Sequence, residues 1–178
     1  MKKPIGFFSA SAMMIAFIIS SSSFGQTSKL TDPEIASVAV AANQIDINYA
    51  KIAKGNSKNA DILKFASTMI SDHQSVIDQA VALVKKLGVT PMDNPVSKSL
   101  NAGAETTSKM LRGKSGSDFN KAYIDNEVAY HKAVINTVQN QLIPQSQNAE
   151  LKALLEKVVP ILKTHLEHAE MVQKMLSK

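Results

Sequence analysis

The feature that most constrains this sequence is a long stretch, Ile62 to Leu87, with the hydrophobic periodicity of an α-helix. Its seam positions are spaced alternately by four and three residues, which places them on one helical face. These positions are Ile62, Ala66, Met69, His73, Val76, Ala80, Leu83 and Leu87. The stretch therefore predicts a long helix that buries one face, with a histidine near the middle of that face.

The same periodicity recurs in three further segments. Their seams are Ile35, Val38, Ala42, Ile45, Tyr49 and Ile52; then Ile124, Val128, His131, Ile135, Val138 and Leu142; then Leu151, Leu155, Val158, Leu162, His165, Ala169, Val172 and Leu176. Between the second and third long segments, glycines and prolines flank a weaker helical pattern from Ser97 to about Leu111. Apolar stripes of similar length bury one another in a bundle. The sequence therefore predicts an all-α four-helix bundle with a short crossover helix.

Helix starts are indicated by short polar residues. Thr31 followed by Glu34 has the pattern of a capping box and predicts the start of the first helix. Ser57 is the predicted cap of the second helix, and Ser117 or Asp118 that of the third long helix.

The N-terminus has the three-part pattern of a secretory signal peptide. Basic Lys2 and Lys3 precede an apolar stretch at 5–19, and Ser23 and Gly25 supply small residues before a cut at Gln26. This predicts a signal peptide at 1–25, a short tail at 26–30 and one bundle domain at 31–178. A retained membrane anchor is the alternative, but the apolar stretch is shorter than the ~20 residues of a span. We therefore expect an exported protein with no transmembrane span after cleavage.

Composition excludes several kinds of site. The chain has no cysteine, so disulfides and thiolate metal sites are excluded. Loss of Lys2 and Lys3 would lower the formal charge from +5 by two, to +3. No basic patch with interleaved aromatic residues is present in the sequence, so we expect no binding to nucleic acid.

Three histidines, His73, His131 and His165, lie near the midpoints of three predicted helices. Midpoints of aligned helices share one level in a bundle, whichever way the helices run. The imidazoles are therefore predicted to meet in the core, with Asp46 and Glu127 as nearby acids. A buried polar group without a partner costs about 1–3 kcal/mol, so these rings must share hydrogen bonds or bind something. If they are buried and neutral, stability is expected to fall below about pH 6.5.

Two interpretations of this cluster stay open. In the first, the imidazoles form a satisfied core network with the acids, with each other, or with the hydroxyl groups of Tyr49, Tyr123 and Tyr130. In the second, a divalent transition metal such as Zn, Fe or Mn is bound, because neutral imidazole suits such ions. The candidate ligands of that metal site are His73, His131, His165, Asp46 and Glu127.

Several segments together resemble a known family. They are NQIDINYAKIA, KNADILKFAS, FASTMISDH, YIDNEVAYHKAV and VVPILKTHLEHA, within a resemblance that extends from about Thr31 to Leu176. This pattern is similar to the bacterial family called domain of unknown function 4142. The resemblance implies a ferritin-like fold in an exported protein, periplasmic or associated with the outer membrane. Asp46 stands at a position where the resemblance implies a glutamate in other members of the family.

The resemblance does not extend to di-iron chemistry. Ferritin-like di-iron sites need a Glu-x-x-His motif on two helices. The residues three positions before His73, His131 and His165 are Ile70, Val128 and Leu162. Ferroxidase-type activity is therefore disfavoured, and a site with a single ion is the remaining metal hypothesis.

The favoured function at this stage is a non-catalytic binding or structural module of the cell envelope with a core histidine cluster. Its partner would be another envelope component or protein, and its oligomeric state is left open. The alternative is a periplasmic metal-binding protein, and a metal-dependent redox enzyme is less favoured. No recognised catalytic motif is visible in the sequence, which favours a protein that is not an enzyme.

Overall fold

The computed structural model describes residues 29–177, and within that range it contains helices and no strand. We number the helices α1 Asp32–Asn56, α2 Ala60–Leu87, α3 Pro95–Arg112, α4 Gly116–Thr137 and α5 Ala149–Leu176. A π-helical turn, Val138–Leu142, and a last helical turn, Ile143–Gln145, extend α4. The predicted all-α bundle with a crossover helix is confirmed. The predicted signal peptide lies outside the described residues.

The four long helices close on one another as a bundle. α1 packs mainly against α2, and α4 mainly against α5, while α2 contacts α5 and α1 contacts α4. One three-residue turn joins α1 to α2, and another joins the extension of α4 to α5. The two helices of each pair are therefore neighbours. The crossover helix α3 packs against α1. At one end of the bundle, Asp32 accepts the backbone N–H groups of Gln147 and Asn148, which ties α1 to the turn before α5.

The predicted seams are the buried faces. Every seam residue of α1 and of α4 with its extension is buried. On α2 the seam residues are buried up to Ala80, and on α5 they are buried up to Val172. The last seam residues, Leu83 and Leu87 on α2 and Leu176 on α5, are half-buried.

Two of the predicted helix caps were wrong. Asn59, not Ser57, caps α2, because its side chain accepts the backbone N–H groups of Asp61 and Ile62. The Ser57 hydroxyl donates instead to Asn120. α4 begins at Gly116, with Ser115 as its flanking residue, two or three residues before the predicted caps Ser117 or Asp118. The capping interaction of α1 is confirmed, since the Glu34 carboxylate accepts from the backbone and hydroxyl of Thr31.

The core consists of two apolar clusters separated along the bundle. One includes Phe65, Met69 and Tyr123, and the other includes Val76, Leu142 and Leu155. Between the residues of the two clusters lie Asn43 on α1, His73 on α2, His131 on α4 and His165 on α5. A layer of polar side chains therefore crosses the core between the two clusters.

Within residues 29–177, no helix is both long enough and apolar enough to cross a bilayer.

Candidate metal centre

The polar layer consists of six buried side chains: Asn43 and Asp46 from α1, His73 from α2, Glu127 and His131 from α4, and His165 from α5. The ring centres of its three imidazoles are 5.1 Å apart for His73 and His165, 5.5 Å for His131 and His165, and 5.8 Å for His73 and His131. The prediction that the three rings meet in the core is confirmed. Four separate helices must therefore pack correctly before this layer exists.

The protonated nitrogen of His73 is identified by its neighbour on α1. His73 Nδ1 lies 2.7 Å from Asn43 Oδ1. The Asn43 amide nitrogen donates to the carbonyl oxygen of Ala39 at 2.8 Å, which fixes Oδ1 as the atom that faces the ring. Because an amide oxygen can only accept, His73 Nδ1 donates. Its Nε2 then carries a lone pair in the neutral ring.

The other two imidazoles follow the same arrangement. His131 Nδ1 donates to the backbone carbonyl oxygen of Glu127 at 2.9 Å. His165 Nε2 donates to Asp72 Oδ2, also at 2.9 Å. Since carbonyl and carboxylate oxygens are acceptors, the lone pairs of the neutral rings lie on His131 Nε2 and His165 Nδ1.

The three nitrogen atoms with lone pairs are buried and have no hydrogen-bond partner among residues 29–177. The candidate ligand atoms of the three histidines all lie within 4.8 Å of one another. Imidazoles that bind metals usually donate the other ring N–H to a carboxylate, carbonyl or similar acceptor, which sets the tautomer. Each of these three rings has such an acceptor. The layer thus presents three ring nitrogen atoms that can act as Lewis bases, and each ring is oriented by the acceptor bound to its other nitrogen.

Asp46 supplies an oxygen beside two of these nitrogen atoms. Its Oδ2 lies 3.4 Å from His73 Nε2 and 3.5 Å from His131 Nε2. Neither carboxyl oxygen of Asp46 has a hydrogen-bond partner in the described part of the chain. Lone pairs that face one another need a proton or a cation between them. Ligands at ~2.1 Å in tetrahedral geometry are about 3.4 Å apart, so these separations fit a shared zinc-like ion.

Glu127 extends the site on the side of His131. Its Oε2 lies 3.6 Å from His131 Nδ1, and it forms a second compact group with Asp46 and His131. Both of its carboxyl oxygens are buried and lack a hydrogen-bond partner within residues 29–177. Glu127 is therefore available as an additional ligand or as a counter-charge.

Burial moves the pKa values of these groups toward their neutral forms. Desolvation raises the pKa of Asp46 from 3.8 to about 8. It raises the pKa of Glu127 well above 4.5, with a further contribution from the charge of Asp46. Desolvation lowers the pKa of His131 from 6.5 to about 4 and that of His73 well below 6.5. Without a cation, burial therefore favours the neutral forms of His73 and His131 and the protonated forms of Asp46 and Glu127.

The five predicted ligands thus come together, whereas other polar side chains considered with them do not join the layer. The hydroxyl of Tyr130 donates to the carbonyl of Ala42, and the hydroxyl of Tyr123 has no partner among residues 29–177. The fourth histidine, His168, packs its ring edge-on against Phe65 at a centroid distance of 5.1 Å. The hydroxyl groups of Tyr123 and Tyr130 therefore do not form the predicted network with the imidazoles.

Two partners were missed by the sequence analysis. Asn43 orients His73, and Asp72 pairs with His165 rather than with its neighbour in sequence, His73. The available signal for Asn43 was its position beside the seam residue Ala42, one turn before Asp46.

The fold and the layer define a class: a four-helix bundle with histidines and carboxylates buried at mid-height. The chain belongs to the family described as a domain of unknown function (DUF4142), whose model matches residues 20–172. Neither the comparison with curated proteins nor the comparison with solved structures gives a match.

Proposed function

We propose that this protein binds a divalent transition metal ion in the polar layer, through His73, His131, His165 and Asp46, with Glu127 beside them. The proposal is carried by one observation: each imidazole donates one N–H to a fixed acceptor and leaves its other nitrogen buried without a partner. A core built only for stability would be expected to satisfy those atoms, since each costs about 1–3 kcal/mol when unpaired.

The charges also fit a divalent ion. Ionised Asp46 and Glu127 would balance a charge of two, and neutral imidazoles add no further charge. Nitrogen ligands from imidazole with a carboxylate oxygen suit Zn²⁺, Fe²⁺ or Mn²⁺ better than Ca²⁺ or Mg²⁺, which prefer oxygen alone. Because both acids are desolvated, binding would be coupled to loss of their protons.

Metal content is the direct test. The purified chain is loaded with Zn²⁺, Mn²⁺ or Fe²⁺, passed through a desalting column and analysed for metal. We expect about one ion per chain for the wild type, because a site of this kind holds a single ion. The His131→Gln variant should retain less than about a tenth of it, since second-shell losses alone cost 10–100-fold in affinity.

His168→Gln is the matched control, because His168 is the histidine that lies outside the layer. It should keep the metal content of the wild type. Equal metal in the His131→Gln variant, or no retained metal in the wild type with any of the ions, would contradict the proposal.

We also propose that the chain is exported to the cell envelope, where this site would act. The proposal is supported by the basic, apolar and small-residue pattern of residues 1–25. Expression in a bacterial host should give a mature chain in the periplasmic fraction with Gln26 at its N-terminus, measured by intact mass. An arginine substitution at Ile15 should leave the uncleaved chain in the cytoplasm. Recovery of only full-length wild-type protein would oppose export by this route.

A further inference from the structure

A cavity of about 140 Å³ adjoins the polar layer on the side of the apolar cluster that contains Val76 and Leu142. It is lined from α1, α2, α4 with its extension, and α5, and Leu100 contributes from α3. Its polar lining residues are Asn43, Asp46, His73, Tyr130, His131 and Thr137. Every other lining residue is Ala, Val, Ile or Leu. All the polar residues except Thr137 lie in the layer or next to it in sequence.

The size and lining of the cavity indicate what it can hold. Cavities of about 150 Å³ with purely aliphatic and aromatic walls stay dry and bind benzene or xenon. Away from the polar lining residues, the aliphatic walls offer none of the two to four polar partners that a water molecule needs. Small side chains help to create the space, among them Ala39 on α1, Ala80 on α2 and Ala133 on α4. An apolar body about as large as a benzene ring therefore fits the volume.

One end of the cavity is chemically different from the rest. His73 Nε2, His131 Nε2 and the carboxyl group of Asp46 are buried without hydrogen-bond partners in residues 29–177, and their residues line the cavity. A ligand hydroxyl directed to this end would donate to one of these atoms. Because a hydroxyl oxygen is also a metal ligand, the same orientation suits the metal-loaded site.

We infer that the cavity binds a small molecule with a benzene-sized apolar body and a single hydroxyl group directed at His73, His131 and Asp46. This names the class of substrate or ligand for the proposed metal site. The inference rests on the proposed function only where it assigns a role to the metal. A ligand can occupy the cavity without the ion.

The test uses fluorobenzene and 4-fluorophenol, whose binding to the full-length mature chain is followed by ¹⁹F NMR. Both should bind saturably to the metal-free wild type. 4-Fluorophenol should bind about fivefold more tightly, because its hydroxyl satisfies a buried acceptor. Ala80→Leu places three more carbon atoms in the cavity and should weaken both probes by at least about tenfold, since the vacant volume is what admits them.

Ala153→Leu is the matched control, because Ala153 is exposed on α5 and does not line the cavity. It should bind both probes as the wild type does. Ala39→Leu provides a second filled variant if Ala80→Leu does not fold. Absence of saturable binding, or unchanged binding in a folded filled variant, would overturn the inference. Equal affinity for the two probes would overturn the orientation toward the layer.

The result is separable from that of the metal experiment. Ala80 lies two turns from His73, so a folded Ala80→Leu variant should keep its metal while it loses both probes. If the wild type holds metal and binds neither probe, the cavity inference fails alone. If it binds both probes and holds no metal, the proposed function fails alone.

Discussion

Metal loading should reverse the pH dependence of stability. Between pH 6.5 and pH 8 the free energy of unfolding of the metal-free protein should fall as the pH rises. Over the same range that of the metal-loaded protein should rise, because fewer protons compete with the ion for its ligands. At a free-ion concentration of about 100 Kd, the bound ion adds about 2.7 kcal/mol. That corresponds to an increase of about 5–10 °C in Tm for a domain of this size.

The sign for the metal-free protein follows from the buried acids. The pKa of Asp46 is about 8 in the folded state, above its ordinary 3.8, and that of Glu127 is also raised. Between the unfolded and folded values the folded state binds more protons, so its stability is lost as the pH rises through the folded pKa. For Asp46 alone, the loss from pH 6.5 to pH 8 is about 1–2 kcal/mol.

Below pH 6.5 the histidines oppose this trend. The pKa values of His73 and His131 are lowered by burial, so their contribution to stability is lost as the pH falls from about 6.5 toward about 4. Over that interval, two acids and two imidazoles act in opposite directions. We therefore expect a shallow plateau, rather than the decline that the histidines alone would give.

Urea unfolding at pH 5.5, 6.5 and 8 measures these slopes, with a chelator in one series and Mn²⁺ in the other. His168→Gln serves as the control, because His168 lies outside the layer. The slopes above pH 6.5 should be unchanged in this variant, both with the chelator and with Mn²⁺. The same downward slope above pH 6.5 with and without metal would mean that the ion does not interact with Asp46 and Glu127.

The fold could be predicted from sequence because seam spacing depends only on helical periodicity. The residues at the predicted seam positions of α1 and α4 are all buried, and spacing alone identified them. The common level of His73, His131 and His165 was predictable for a related reason: helices of similar length in a bundle align their midpoints. Asp46 was identified because it lies beside the seam a little past the middle of α1, and Glu127 because it precedes His131 by one helical turn.

The hydrogen bonds of the layer could not be predicted in this way. Asp72 adjoins His73 in sequence, but successive residues on a helix point about 100° apart. Asp72 therefore reaches His165 on the neighbouring helix, and this depends on how α2 is rotated against α5. The cavity could not be predicted from the sequence either, because it results from the summed side-chain volumes of several helices rather than from any single segment.

The variant Asp46→Asn should make the metal-free protein more stable and abolish metal binding. The substitution keeps the shape of the side chain and removes a buried group that ionises near pH 8. The new amide N–H groups can donate to His73 Nε2 or His131 Nε2, which lie 3.4 and 3.5 Å from Oδ2. At pH 8 the expected gain is about 1–3 kcal/mol in the free energy of unfolding. Retained metal should fall below about a tenth of the wild-type level, because the anionic oxygen that lies beside both imidazoles is lost.

Asp78→Asn is the matched control, since Asp78 is an exposed residue on the same helix as His73. Its effect on stability should stay within about 0.5 kcal/mol, with full metal retention. The contrast matters because a stabilising mutation that destroys a site is the signature of a residue kept for function rather than for folding. If Asp46→Asn instead destabilises the metal-free protein at pH 8, the carboxyl group serves the core itself. Asp46 would then be part of a structural network rather than a residue kept for metal binding.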